Sequence, residues 1–431
     1  MSLFELPQTP SVLQSGGVVG SNYVKIEPTQ AIRTDATFAS SRIQYRLNVP
    51  DGHWARLDES YLRIRVRLTA RDSGNQPVSI TSADAVNKTV APALGMPARL
   101  FQTAEYLIGG QVVSRINNNM AQVDSMKKRT ENSGDWLREF GNATGMYHPN
   151  PRQRQFTFAG VAAVDEDGYT EYELCWQPPL GIWGVGHALP SGGAHILNLT
   201  ANTNFLTQVV TSIGAASELV AGTDYDFNVS SCVLYISTIE GPSAPEETKY
   251  VLSYPELQCQ GLAITSGTTG MQAINFDLPA KSSTLALAFQ GSDNENRYGG
   301  YGAFKIGGED ELKLRRFYLQ YKNAIKPMEQ SESQWSATAN LFNQRYLQTL
   351  EEAGRLSYSG GQSTETFAEW AESGAYYLFR WPTSGISLSN RAQVNFELNT
   401  VGTASALLFS WAPVAYLVST VSGRVAQVQT E

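Results

Sequence analysis

Leu62, Ile64, Val66 and Leu68 alternate with Arg63, Arg65 and Arg67, a period of two that puts apolar side chains on one face of a strand and cations on the other. The same alternation recurs in Ile43, Tyr45, Leu47 and Val49, in Ile274, Phe276 and Leu278, in Leu285, Leu287 and Phe289, and in Val394, Phe396 and Leu398. Each is read as a strand with one buried and one wet face, bounded by Asp-Gly, Ser-Gly-Gly or Pro. Helical spacing occurs in two places. Met120, Val123 and Met126 recur every three residues within 118–131, and Lys127, Lys128 and Arg129 sit toward the end that the helix dipole makes favourable for cations. Phe342, Tyr346 and Leu350 recur every four within 338–353, before a stop at Gly354.

These patterns repeat. Ile43-Gln-Tyr45-Arg-Leu47 has a counterpart in Ile274-Asn-Phe276-Asp-Leu278, and Leu62–Leu68 in Leu285–Phe289. Glu105–Ile108 answers to Phe317–Gln320, and Tyr172-Glu-Leu-Cys-Trp176 to Tyr377-Leu-Phe-Arg-Trp381. Asn198–Thr203 answers to Asn395–Thr400, and Tyr235–Thr238 to Leu417–Thr420. The order is the same in both halves, with one helix at the same place in each. A duplicated unit explains this better than chance. The offset between partners falls from 231 residues (Ile43 to Ile274) to 182 (Tyr235 to Leu417), so the halves share strands and differ in loops. Extra length in the first half is expected in 70–98, 141–170 and 178–190, and a long exposed loop in the second at 291–311.

About eight strands per half, with a helix inserted mid-repeat, predict an all-β chain of two tandem antiparallel jelly-roll sandwiches. The polar, weakly periodic start reads as an extended N-terminal arm over 1–37. The first roll is placed at 38–240 and the second, with a C-terminal tail, at 241–431. They join at the Pro-rich, charged Glu240-Gly-Pro-Ser-Ala-Pro-Glu-Glu.

Composition narrows the classes. Of 431 residues, 42% are hydrophobic and 17% charged, as in a packed globular protein. A net charge of −8, and an arm holding Lys25 and Arg33 against Glu5, Glu27 and Asp35, argue against nucleic acid as a sequence-specific partner. Cys175, Cys232 and Cys259 lack C-x-x-C spacing and leave one unpaired in any scheme, which points to a reducing compartment. No signal-peptide pattern or long apolar run is present, so neither secretion nor a transmembrane segment is expected. The sequons at Asn87, Asn142, Asn198 and Asn228 are then read as silent.

No catalytic constellation emerges. His53, His148, His187 and His195 are scattered without metal-ligand spacing, and His187 and His195, eight apart around Pro190, fit turn and strand positions better than a metal site. Asp165-Glu-Asp167-Gly168 has calcium-binding chemistry but reads more simply as a solvated turn, as do Asp293, Glu295 and Asp310. Gly300-Tyr-Gly302 lacks the third glycine of a nucleotide loop. Catalytic, cofactor and metal residues are therefore assigned as none. Trp176 and Trp381, matched across the repeat, suit core packing more than sugar stacking, though a carbohydrate-binding or glycan-processing sandwich is kept as the alternative. Arg63, Arg65 and Arg67 read as a wet strand face that a neighbouring subunit could pair.

Four stretches carry a family resemblance: Leu57-Asp-Glu-Ser-Tyr61-Leu-Arg-Ile-Arg-Val-Arg-Leu68; Ala104-Glu-Tyr-Leu-Ile-Gly-Gly-Gln-Val-Val113; His187-Ala-Leu-Pro190 followed by His195-Ile-Leu-Asn-Leu-Thr200; and Ile274 through Phe289. In this order they resemble the double jelly-roll major capsid proteins of icosahedral DNA viruses, nearest those of virophages, adintoviruses and Polinton-like viruses. The resemblance spans roughly 38–425. It implies a non-enzymatic structural subunit of the virion, assembling as pseudo-hexameric homotrimers into an icosahedral shell. Strands would stand normal to the shell, with loops at one end facing outward and the arm inward. The implied partners are copies of the chain, neighbouring trimers, and penton and minor capsid proteins; no cofactor is implied.

Overall fold

The structure is a computed structural model. It describes residues 21–32, 38–39, 41–49, 52–71, 74, 76–78, 89–93, 95–132, 140–141, 143–144, 170–186, 188–190, 194–213, 223, 225–240, 247–265, 270–279, 281–291, 314–322, 324–332, 335–336, 339–340, 343–353, 370, 376–381, 391–398, 404–421 and 424–430.

The period-two stretches are strands, and a helix lies in each stretch of helical spacing, although 338–353 is helical only from Asn343: Ala339–Asn340 is a short strand paired with Trp335–Ser336. The first half runs β1 (Ser21–Ile26), β2 (Arg42–Leu47), β3 (His53–Arg71), β4 (Phe101–Ile108), β5 (Gln111–Asn117), α1 (Met120–Glu131), β6 (Thr170–Trp176), β7 (His195–Ala201) and β8 (Tyr225–Glu240). The second runs β9 (Glu247–Ile264), β10 (Met271–Asp277), β11 (Thr284–Gly291), β12 (Leu314–Tyr321), β13 (Ala324–Glu332), α2 (Asn343–Glu352), β14 (Tyr376–Arg380), β15 (Arg391–Leu398) and β16 (Ala404–Val421), followed by β17 (Arg424–Thr430). Shorter elements lie between them.

Each half folds into two antiparallel sheets. In the first these have the order β1–β8–β3–β6 and β2–β7–β4–β5; in the second, β9–β16–β11–β14 and β10–β15–β12–β13. Adding eight to every strand of the first roll yields the second. This order is the jelly-roll topology, and its occurrence twice makes the fold a double jelly roll. β17 pairs with the far end of β16.

Alternation explains the cores. Leu62, Ile64, Val66 and Leu68 are fully buried against Ile43, Tyr45 and Leu47 of the facing sheet. Tyr45 crosses the sandwich and donates its hydroxyl to the Cys232 carbonyl of β8 (2.9 Å), satisfying a polar atom that burial would otherwise strand. All three cysteines are free thiols.

Two expectations need correction. Ser21–Ile26 lies inside the stretch read as an arm, yet it pairs residue for residue with Ile239–Leu234 of β8, and Ile26 and Val24 pack on the core. Ser21–Ile26 is therefore a strand of the first roll's sheet; residues 1–20 lie outside the described residues. β11 also departs from the one-wet-face reading: Ala286 and Ala288 are as fully buried as Leu285 and Leu287. Something covers both of its sides.

All six matched phrases fall on equivalent strands, but their registers slip. Leu62 lies opposite Trp176 and Leu234, whereas Leu285 lies opposite Phe379 and Ser410. With Leu62 matched to Leu285, the counterpart of Trp176 is Phe379, two residues before Trp381. Phenylalanine and tryptophan are interchangeable core fillers, so similarity by type is blind to such a shift.

Ile64→Ala, at the centre of β3, is expected to cost about 2–5 kcal/mol through lost burial and the cavity left behind. Chemical denaturation of the purified protein would check this as a lowered midpoint at unchanged slope.

Candidate functional site at the joint between the rolls

The cover on β11 is α1, a helix of the other roll. Asn118 and Asn119 turn the chain out of β5 with φ of 59° and 53°, a left-handed conformation that asparagine tolerates. Met120, Val123 and Met126 then face the first roll's core. Asp124 is buried with them and fully partnered: it accepts from the Trp176 indole (3.1 Å) and from Lys128 Nζ one turn on (2.9 Å).

The opposite side of α1 meets the second roll. Gln122 Nε2 donates to Gln290 Oε1 (3.3 Å), and the Trp411 indole donates to Glu131 (3.4 Å). Arg129, fully buried, lays its guanidinium 4.8 Å from the Tyr376 ring centre. The helix is thus a plate between two sandwiches. Of its basic triplet, Lys127 donates to the Leu180 carbonyl (2.9 Å) and Lys128 closes the Asp124 pair, both within the first roll, and Arg129 reaches across.

Under the plate, the second roll carries Ala286, Ala288 and Gln290, all buried. Their counterparts in the first roll are Arg63, Arg65 and Arg67, from the match of Leu62 with Leu285. Among the described residues no helix of the same chain lies on this sheet, and the arginines pair along it. Arg65 Nε is 2.5 Å from Glu173, Arg67 Nε is 3.5 Å from Glu171, and Arg63 lies 5.1 Å over the Tyr235 ring. Tyr235 stacks on Tyr61 at 5.5 Å, and Tyr23 of β1 extends the row. The arginine stripe is a wet strand face, as its alternation suggests.

The expected insertion at 178–190 supplies the joint's second contact. A 3-10 turn, Gly181–Gly184, presses on β9 so closely that a Cβ at Gly181 would stand 2.6 Å from the Pro255 carbonyl and 2.7 Å from Tyr254. Only glycine allows that approach. Tyr254 donates its hydroxyl to the Val113 carbonyl of β5. Glu256, buried, accepts from Ser114 Oγ (2.7 Å) and from the Gly181 backbone N–H (3.4 Å). Burial pushes the Glu256 carboxyl up to about 7, against the pull of those donors and of Lys127. Beside the joint a cleft of about 520 Å³ opens between Thr130 and Glu131 of α1 and Arg380, Trp411 and Pro413 of the second roll.

Sequence reasoning did not mark Glu256 or Gly181. A signal existed for the first: Leu252, Tyr254 and Glu256 share a period of two, which puts a carboxylate on an inward face.

The scattered residues stay scattered. His195 is buried beside the Tyr106 hydroxyl (3.1 Å), and burial pulls its imidazole down to about 4, so it is neutral. His53 lies 3.6 Å from Glu240 on the surface. Among the described residues no group of three His, Cys, Asp or Glu is placed to hold a metal, and no helix is long and apolar enough to cross a membrane. His148, His187, Asp165–Asp167 and Gly300–Gly302 lie outside the described residues, as do Asp293, Glu295, Asp310, Asn87 and Asn142. Trp176 stacks on Phe101 at 5.3 Å and Trp381 packs edge-on to Tyr321 at 5.3 Å, both buried, so neither offers a ring face to a sugar.

The two outer faces should respond oppositely to exchange. Ala288→Arg forces a guanidinium under α1 and is expected to cost about 3–5 kcal/mol, whereas Arg65→Ala on the wet face costs less than about 1 kcal/mol. Denaturant midpoints of both variants check this. Glu256 sets a second outcome. Its folded pKa is raised above the ordinary 4.5, so the folded state holds the proton more tightly than the unfolded chain. Its contribution is most favourable below about pH 4.5 and is lost as pH rises through about 7, by a total on the order of 3 kcal/mol. Glu256→Gln removes the titration, so the stability difference, wild type minus variant, should fall between pH 5 and 8; a flat difference in thermal melts refutes the assignment.

No protein-family model matches the chain, and no curated protein sequence does. Solved structures do. A chain of the Sputnik virophage, determined by cryo-EM, is similar over 96% of this chain and 89% of its own, with a TM-score of 0.59 at 12% identity. The mavirus major capsid protein matches over 95% of this chain and 90% of its own, with a TM-score of 0.53 at 9% identity. The Faustovirus major capsid protein matches over 92% and 90%, with a TM-score of 0.52 at 8% identity. At such identities the likeness is one of fold, and it runs through both rolls.

Proposed function

We propose that this chain is a structural major capsid protein that builds the icosahedral shell of a virion by self-association, without enzymatic activity. The observation that carries the reading is the repeat itself: two rolls of one strand order, with α1 of the first in contact with the second. The major capsid proteins of mavirus and Faustovirus have the same fold over nearly their whole length.

The geometry supplies a mechanism. Two similar wedges per chain let three chains present six similar sides, so a homotrimer fills a hexagonal lattice position. Contacts between trimers need only be modest, because symmetry multiplies them. Penton and minor capsid proteins would fill positions that a six-sided block cannot. The duplicated frame with unequal loops suits this division: sandwiches tile, while loops at their ends meet the outside and the inside.

Native mass spectrometry of the purified chain is expected to give trimers, and cryo-electron microscopy of concentrated protein to give shells or hexagonal arrays. A chain that stays monomeric at high concentration overturns the reading.

A further inference from the structure

Two contacts between the rolls differ in what they enclose. Where α1 meets the second roll, Gln122 donates to Gln290, and the permanently charged Arg129 lies over Tyr376. Where the 3-10 turn Gly181–Gly184 meets β9, the contact closes over Glu256, a carboxyl that can gain or lose a proton.

The groups around that carboxyl come from five elements. β5 offers the Ser114 hydroxyl (2.7 Å) and the Arg115 backbone N–H, while the Arg115 side chain pairs with Glu105 (2.9 Å). The 3-10 turn offers the Gly181 N–H and no titratable side chain. α1 brings Lys127, but its Nζ donates to the Leu180 carbonyl and lies 4.0 Å from Glu131, so it acts on Glu256 only through its field. Tyr254 of β9 and Tyr416 of β16 face it with phenols that burial pushes up, and both stay neutral near pH 7.

This packing suits the neutral carboxyl and not the charged one. A carboxylate offers about four acceptor sites and needs water wherever the protein leaves them unfilled. The turn excludes water from one side. A Cβ added at Gly181 would stand 2.9 Å from Glu256 Oε2 and 2.6 Å from the Pro255 carbonyl. Water reaches the carboxyl there only when the turn lifts off β9.

We propose that Glu256 is a proton-operated latch between the rolls. Neutral, it lets the 3-10 turn seat on β9; ionised, it draws in water and lifts the turn, while α1 keeps the rolls attached. Burial sets where this happens. The carboxyl is pushed up to about 7 with the turn seated, and it returns toward the ordinary 4.5 once hydrated. Seating is therefore most favoured below about pH 4.5 and loses ground as pH rises through about 7. The latch lies within one chain and does not depend on whether that chain builds a shell.

Hydrogen–deuterium exchange of the full chain, corrected for the intrinsic pH dependence of exchange, reads the latch directly. From pH 5.5 to 8.5, protection in 111–117, 180–185 and 250–258 is expected to fall about tenfold or more, while protection in 62–68 and 285–289 holds. Glu256→Gln should show equal protection at both pH values. Ser114→Ala removes a donor to the charged form and should carry the fall to higher pH. Protection at the joint that does not change with pH in the wild type overturns the latch. So does a fall that persists in Glu256→Gln, or one that the strand at 62–68 shares. If circular dichroism shows that Glu256→Gln does not fold, Ser114→Ala decides, and a fall at the wild-type pH overturns the latch.

Discussion

A β-sandwich buries only the inner faces of its sheets, and every other feature here depends on what becomes of the outer ones. An outer face is either lined with polar side chains or covered by another element. This chain does both, once in each roll. The face of β3 carries arginines; the matched face of β11 carries alanines and is sealed by α1. One choice of small side chains thus turns two adjacent sandwiches into a rigid pair. Alanine lets the helix approach, and the arginines that replace it elsewhere hold the corresponding face open.

The seal explains why the two buried carboxyls beside it, Asp124 and Glu256, are each met by two donors. Asp124, Lys128 and Trp176 close one network, and Glu256, Ser114 and Gly181 another. A buried carboxylate without donors costs several kcal/mol, so each is tolerated only where geometry is fixed. Polar contacts of this kind contribute little net stability, but the Glu256 network, which joins β9 to Ser114 and Gly181 of the first roll, is satisfied in one arrangement of the two rolls and broken in any other. Contacts that cross between the rolls in this way set the angle between them.

How much of this was legible in the sequence varied with the physics of each segment. Strands with one wet face were plain, because Arg63, Arg65 and Arg67 mark the outside as clearly as Leu62 and Ile64 mark the inside. The double roll followed from them and from the order of the repeats. β1 was hidden because Ser21–Ile26 is short and sits at the sheet's edge, with Tyr23 and Lys25 largely in solvent. Much of β9 was hidden because Pro255 and Gly261 interrupt it and its inward row includes Glu256. β14, Tyr376-Tyr-Leu-Phe379, is buried on both faces and has no alternation to read. The joint was the least legible part. A helix that is amphipathic toward its own roll gives no sign that its polar side, Gln122 and Arg129, will also be covered.

That last difficulty has a physical cause. α1 looks polar on its far side and is nonetheless buried there, because the surface it meets offers Gln290 to its glutamine and Tyr376 to its arginine. Polarity on the outer stripe of an inserted helix is therefore no argument that the stripe faces water. What decides is whether a sheet with matching groups lies opposite. In the first roll, where among the described residues no helix lies on the matching sheet, arginines occupy the positions at which alanines receive α1.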